Sequence, residues 1–163
     1  GTLSDKLYVE ARFGDFGYYD IRRANSDEDY FEVYSGKRKM SHSHAGGLDI
    51  ARVSLEQFLK GLDRGTPQYL EALWSGHQTL NLLPWLDTYM PNYWVTYRTY
   101  KRTIENFWLD GATSDSFKLV RHSWRLHLNL QEFMEHGRFN PTLTPEQVKW
   151  VNERAEEGDC PQF

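Results

Sequence analysis

In the first third of the chain, short runs of apolar and β-branched residues are separated by turn residues. The runs over residues 6–13, 29–34 and 48–53 are rich in valine, tyrosine, phenylalanine and isoleucine, which favour strands. The polar segment 35–47 ends in two glycines and is predicted to be a loop or a hairpin. The pattern therefore predicts three short strands before residue 54.

From Ser54 onward, apolar residues recur every three or four positions, which is the period of an amphipathic helix. Ser54 and Gln57 have the spacing of a capping box, and Pro67 after Thr66 marks the start of a second helix. Later helices are predicted over residues 91–109, over residues 115–137 and after Thr144.

These elements predict an α+β fold, in which a small mixed sheet is followed by a C-terminal helical bundle. The sheet and its first helices would occupy residues 1–75, and the helical part residues 76–163. At 163 residues the chain is long enough for a substantial core, and we expect the two parts to form one compact unit.

Charge and cysteine content limit the classes of function. The formal net charge of −4 predicts no broad basic surface for nucleic acid, so an anionic ligand would need a local cluster of basic side chains. The single cysteine, Cys160, allows no internal disulfide and is typical of a reducing compartment. No apolar run approaches the length of a membrane span. We therefore expect a cytoplasmic protein that does not insert into a membrane.

The segment "SDEDYFEVY", residues 26–34, places acidic residues at the start of a predicted strand. Residues two apart on a strand point to the same face, so Asp27 and Asp29 would project together. Asp49 interrupts the apolar strand 48–53, where an unpaired carboxylate is costly. If the two strands are neighbours, the three carboxylates could hold two magnesium ions about 4 Å apart and support phosphoryl transfer.

The same residues also have structural interpretations. An acidic turn capped by Ser26 or Asp27 explains the acidic segment, and a hydrogen bond to an amide explains Asp49. His42 and His44 have a spacing that could bind zinc from a strand, but their segment is predicted to be an exposed loop without a nearby cysteine. The residues alone leave these alternatives open.

The order of several short segments resembles the nucleotidyltransferase signature of the DNA polymerase beta superfamily. A predicted strand ends at Gly14, "SDEDYFEV" follows after a loop, and "LDIARVSLEQFLKGLDRGTPQYLEALWS" (48–75) is similar to the third-carboxylate strand and the helices after it. The closer similarity is to small predicted nucleotidyltransferases of bacteria and phages, including those linked to RNA repair. In that group a later helix carries a K..H..R pattern, which Lys118, His122 and Arg125 resemble.

The resemblance implies a reaction and a set of site residues. The implied reaction is magnesium- or manganese-dependent transfer of a nucleoside monophosphate from a nucleoside triphosphate to a hydroxyl. Asp27, Asp29 and Asp49 would bind the metal ions, and Asp49 could also act as a base. The acceptor could be an RNA end, a protein side chain or a small molecule. Nucleotide contacts are implied for Gly14, Asp15, Ser26, Lys118, His122 and Arg125.

The residue pattern supports a basic stripe but also allows a second interpretation. Lys118, His122 and Arg125 fall within about 60° of one another on a helical wheel. Such a stripe can bind phosphates, and it can equally be a solvated helix face. Asp15 stands where the family has serine, and its charge would repel a triphosphate. A degenerate member that binds a nucleotide or a protein without catalysis therefore remains an alternative.

Two further features have both a functional and a structural interpretation. The aromatic residues at 89, 93, 94, 97 and 100 could stack on bases, although helical spacing is more typical of a core or an interface. Glu71 could contact a sugar or a metal, or it could face solvent.

Overall fold

The computed structural model describes residues 7–13, 18, 28–35, 41–46, 48–75 and 88–163. Within them the chain forms a four-stranded mixed sheet and five helices, which confirms the α+β class. No helix in these residues is long and apolar enough to cross a membrane. The strands are β1 (Leu7–Phe13), β2 (Glu28–Tyr34), β3 (Ser41–Ala45) and β4 (Leu48–Ser54). The helices are α1 (Leu55–Asp63), α2 (Pro67–Trp74), α3 (Tyr93–Ser114), α4 (Phe117–His136) and α5 (Pro145–Glu157).

The sheet has the order β1-β2-β4-β3, and only its central pair is parallel among these strands. The chain passes from β2 to the edge strand β3 and returns through β4, which pairs with both. Asp29 is the register partner of Asp49, and Val33 is the register partner of Val53. Register partners on neighbouring strands point to the same face, so all four side chains lie on one side of the sheet.

Strand β3 corrects one of the sequence predictions. Residues 41–45 form a hairpin with β4, which was one of the two structures predicted for this segment. His42 and His44 are exposed as predicted, but they lie on a strand, so their interpretation as loop residues was wrong. Alternating serine and histidine give no apolar face, and the sequence pattern therefore carried little strand signal. The backbone hydrogen bonds of β4 provide the partner that orders this segment, which is a tertiary effect.

One face of the sheet carries the main hydrophobic core. Val9, Phe31 and Val53 are fully buried there, and the ring of Phe31 packs perpendicular to that of Tyr69 on α2, with centroids 5.6 Å apart. The same cluster includes apolar residues of α1, α2, α3 and α4. The segments 1–75 and 76–163 thus contribute side chains to one core.

Local sequence signals set the helix boundaries that position the site. The N–H of Gln57 donates to Ser54 Oγ at 3.1 Å, and a complete capping box at Thr144 begins α5. Gly137 adopts a φ of 76° at the end of α4, as expected for a glycine stop. Helix α3 is longer than predicted. Gly111 lies within it, packed so closely against Val120 of α4 that a Cβ there would clash, and the chain turns only at Asp115, which has a φ of 53°.

Candidate functional site

The predicted site residues divide into three sets. Asp29 and Asp49 lie on the sheet, while Lys118, His122 and Arg125 lie on α4. The remaining predicted residues lie outside the described part of the chain, and they are Gly14, Asp15, Ser26 and Asp27.

Asp29 and Asp49 form an acid pair near the N-terminal ends of β2 and β4. They are register partners on strands about 4.8 Å apart, and both side chains are half-buried. The two strands are therefore neighbours, which was the condition that the sequence analysis set for an acid cluster. Like charges in such a position repel one another, and a cation near both carboxylates would relieve this repulsion.

His42 lies beside this acid pair on the edge strand. Its Nε2 is in hydrogen-bonding contact with Asp49 Oδ1, and His44 is the register partner of Asp49. No set of three or more histidine, cysteine, aspartate or glutamate side chains in the described residues is grouped closely enough to bind a metal ion. The described part of the site therefore supplies two carboxylates and one imidazole contact. Sequence analysis assigned no such role to His42, because the contact depends on strand pairing.

The opposite face of the sheet carries a second set of acidic residues. Glu10 and Glu32 are register partners, and burial together with a hydrogen bond to Glu32 raises the pKa of Glu10. Glu32 accepts hydrogen bonds from Arg52 Nε at 3.1 Å and from the Tyr34 hydroxyl at 3.0 Å. Since Arg52 compensates the charge of Glu32, we interpret this set as structural.

A cavity of about 720 Å³ is lined by residues of α2, α3 and α4. Lys118, His122 and Arg125 all line it, so the structure brings the predicted stripe to one concave site. Glu71 on α2 lines the same cavity, while neither Asp29 nor Asp49 does. This volume is within the range of small-molecule sites, about 300–1,000 Å³.

Arg125 is held in a buried ion pair in the wall of the cavity. Its Nη1 donates to Glu71 Oε1 at 2.8 Å, and Arg125 and Glu71 are only 4% and 2% exposed. The Tyr18 hydroxyl donates to Glu71 Oε2, and the guanidinium lies 3.9 Å from the centroid of the Tyr18 ring. Burial and the charge of Glu71 raise the pKa of Tyr18. The positive charge of Arg125 is therefore already compensated, and Glu71 does not face solvent.

His122 is neutral, in contrast to the basic character predicted for it. Burial, followed by the charges of Arg125, Arg121 and Lys118, lowers its pKa to about 3. Its Nδ1 is buried without a hydrogen-bond partner among the described residues, and its ring lies 5.8 Å from that of Phe107. The prediction of a three-cation stripe was wrong for this residue.

Lys118 is the exposed cation of the stripe, and it forms no ion pair within the described residues. Because Arg125 is buried, the alternative of a fully solvated helix face is excluded. The stripe therefore combines an available cation, a neutral imidazole and a compensated guanidinium on one cavity wall.

Sequence analysis missed several residues of this cavity, among them Tyr18, Gln68 and Phe107. Tyr18 lies in the segment between Gly14 and Asp27, and no local pattern indicates that it would reach Glu71, 53 positions away. Gln68 follows the proline that begins α2, and nothing in the sequence distinguishes it from other residues in the first turn of a helix. The assignments of Tyr18 and Gln68 both need the packing of α2 against α4.

Comparison with known proteins found no relative of the chain. No protein-family model matches the chain, and no match was found among curated proteins or solved structures. Membership of the nucleotidyltransferase superfamily therefore stays a prediction from resemblance.

Proposed function

We propose that the chain is a metal-dependent nucleotidyltransferase that moves a nucleoside monophosphate from a nucleoside triphosphate to a hydroxyl acceptor. The observation that carries this proposal is the parallel pairing of β2 and β4, which sets Asp29 beside Asp49 on one face of the sheet. A local cluster of carboxylates is the first requirement of such chemistry.

The donors at the acid pair fit magnesium or manganese. Magnesium takes hard oxygen ligands, typically one or two carboxylates together with substrate phosphates and waters. Asp29 and Asp49 supply that number, and Asp27 is the third ligand that the resemblance implies. A divalent cation held there would neutralise charge on the phosphate oxygens.

The side chains around the acid pair have separate roles in the proposal. Asp49 accepts the proton of the attacking hydroxyl, and its contact with His42 orients its carboxylate. The new bond forms between the acceptor oxygen and the α-phosphorus, and the bond to pyrophosphate breaks.

The cavity provides groups that suit a nucleotide. Lys118 offers a charge-assisted hydrogen bond to a phosphate, whereas Phe107 and neutral His122 suit an uncharged aromatic base. Arg125 shapes the cavity wall through its ion pair with Glu71. We therefore assign the phosphates to Lys118 and the acid pair, and not to Arg125 as the resemblance implies.

The compensated charge of Arg125 favours a second candidate function. A cavity with one available cation can bind a nucleotide without holding its triphosphate for catalysis. In that case the chain is a non-catalytic member of the same fold that binds a nucleotide or a protein partner.

Calorimetry with ATP, GTP, CTP and UTP, with and without magnesium or manganese, separates the two candidates. The enzyme is supported by metal-dependent binding together with pyrophosphate release in the presence of an RNA oligonucleotide, a protein or a small hydroxyl acceptor. Asp49→Asn should abolish release, and the matched control Asp110→Asn, an exposed acid on α3, should not. Binding without release for every acceptor supports the binding module, and an active Asp49→Asn variant contradicts the proposed site.

A further inference from the structure

One exposed side of α3 carries aromatic rings and cations together. Trp94 is 64% exposed, and Arg98, Lys101 and Arg102 are exposed on the following turns. At about 100° per residue, Trp94, Arg98 and Lys101 lie within about 60° of one another on the helix. We name these four residues, with the exposed Phe163 packed beside them, the α3 surface.

The cations of the α3 surface are available to a ligand. Arg98 and Arg102 form no ion pair within the described part of the chain, and Lys101 Nζ lies 5.9 Å from the centroid of the Phe163 ring. Glu105, one turn further along, is the acid that ends this basic segment. In a chain with a net charge of −4, three neighbouring cations are a local concentration of positive charge.

The aromatic rings of this surface are held in place although they are exposed. Trp94 makes perpendicular contacts with Tyr93 and Tyr97, with centroids 5.0 Å and 6.2 Å apart. Tyr97 in turn packs perpendicular to Phe163 at 6.3 Å. An ordered, exposed indole is a preformed stacking platform, because little side-chain entropy remains to be lost on binding.

We propose that the α3 surface binds single-stranded nucleic acid. Exposed bases stack on aromatic rings, and the adjacent arginines and lysine contact the backbone phosphates. Protein interfaces also favour tryptophan and arginine, but their centres are depleted in charged residues as a whole, and three cations on adjacent turns fit a polyanion better. A duplex fits less well because its base faces are already stacked.

This surface is separate from the proposed nucleotide site. Thr103 and Phe107, which line the cavity, lie on the opposite side of α3 from Trp94. The inference therefore goes beyond the proposed function and does not depend on it. A chain without transferase activity would still bind a strand here.

The test measures anisotropy of fluorescein-labelled oligouridylate and oligothymidylate of about ten nucleotides, within the usual range of site sizes. Trp94→Ala should weaken binding about tenfold, while Trp94→Phe should restore most of it, because it keeps a stacking ring. Arg98→Ala with Arg102→Ala should lower the slope of log affinity against log salt by about one to two. Matched controls are Leu109→Ala, an exposed apolar residue on the same helix, and Lys149→Ala on α5.

The outcomes decide the proposal. Binding of either oligonucleotide with loss in Trp94→Ala supports it, and a preference between the two identifies RNA or DNA as the ligand. Equal affinity for a duplex of the same length, no binding of either strand, or unchanged binding by Trp94→Ala overturns it. A concentration-dependent dimer that Trp94→Ala dissociates would instead make this face an interface between copies. Circular dichroism of each variant confirms that the fold is retained.

Discussion

The acid pair on the sheet, Asp29 and Asp49, and the ion pair in the cavity wall, Glu71 and Arg125, differ in the signs of their charges. Asp29 and Asp49 place like charges side by side in half-buried positions. Glu71 and Arg125 place opposite charges in contact and almost completely exclude solvent from them. The two charges of the ion pair attract each other, whereas those of the acid pair repel each other, although Asp49 also contacts His42.

This difference distinguishes the residues proposed to bind a ligand from the residues that stabilise the fold. Both sets contain residue types that are common in active sites, and the sequence suggested functional roles for both. Metal binding stays a proposal, and it rests on the set whose charges are of one sign. The set whose charges already cancel has a structural role, and the hydrogen bond from Tyr18 to Glu71 strengthens that role.

The largest expected effect comes from breaking the ion pair. Glu71→Ala leaves the buried guanidinium of Arg125 without its partner, and we expect the free energy of unfolding to fall by about 3–5 kcal/mol. Urea denaturation measures this change. Glu56→Ala, which breaks the exposed pair with Lys60, is the matched control and should cost less than about 1 kcal/mol. Equal costs for the two variants would remove the contrast between buried and exposed charge.

The next effect concerns the acid pair and its cation. Saturating magnesium should raise the free energy of unfolding by about 3 kcal/mol at a concentration about a hundred times the dissociation constant. Asp29→Asn should abolish this stabilisation, because one of the two proposed carboxylate ligands is lost. Thermal denaturation of the wild type and the variant, each with and without magnesium, measures this difference. A magnesium response that survives in Asp29→Asn would place the cation elsewhere.

A smaller effect follows from the neutral imidazole in the cavity. His122 has a folded-state pKa of about 3, below the ordinary value of about 6.5 in the unfolded chain. Between these values the unfolded state binds a proton that the folded state does not, so stability falls as the pH drops through this window. From pH 6.5 to pH 5 the contribution of this residue is a loss of about 2 kcal/mol.

Chemical denaturation at neutral pH and at pH 5 tests this prediction. His122→Gln should lose the part of the pH-dependent destabilisation that comes from this residue, while the exposed His136→Gln should retain it. Burial also lowers the pKa of His127, so the contribution of that residue should remain in both variants. If the two variants respond alike to pH, His122 is not the group responsible.

The smallest expected effect is on nucleotide binding, and it concerns Lys118, the exposed cation of the stripe, in contrast to the buried Arg125. Lys118→Ala should weaken nucleotide binding about fivefold, because one charge-assisted contact to a phosphate is lost. Its stability should change by less than about 0.5 kcal/mol, as expected for an exposed side chain. Isothermal titration calorimetry and urea denaturation provide the two measurements. Unchanged affinity would assign the phosphates to other residues.

The sequence by itself determined most of the helix boundaries and three of the four strands in the described residues. The capping residues Ser54 and Thr144, the proline at 67 and the glycine at 137 predicted helix boundaries correctly, because each acts on hydrogen bonds within one turn of itself. Apolar residues at strand spacing predicted β2 and β4. The adjacency of Asp29 and Asp49 was expected only as a condition, on the assumption that these strands were neighbours.

Only the tertiary structure decided strand order, the existence of β3 and the charge state of the cavity residues. A pairing partner on β4 orders the polar segment 41–45, and α2 brings Glu71 to Arg125 across 54 positions of sequence. Burial then makes His122 neutral. Burial and distant partners set the free energy of a charge, and no local pattern contains either quantity.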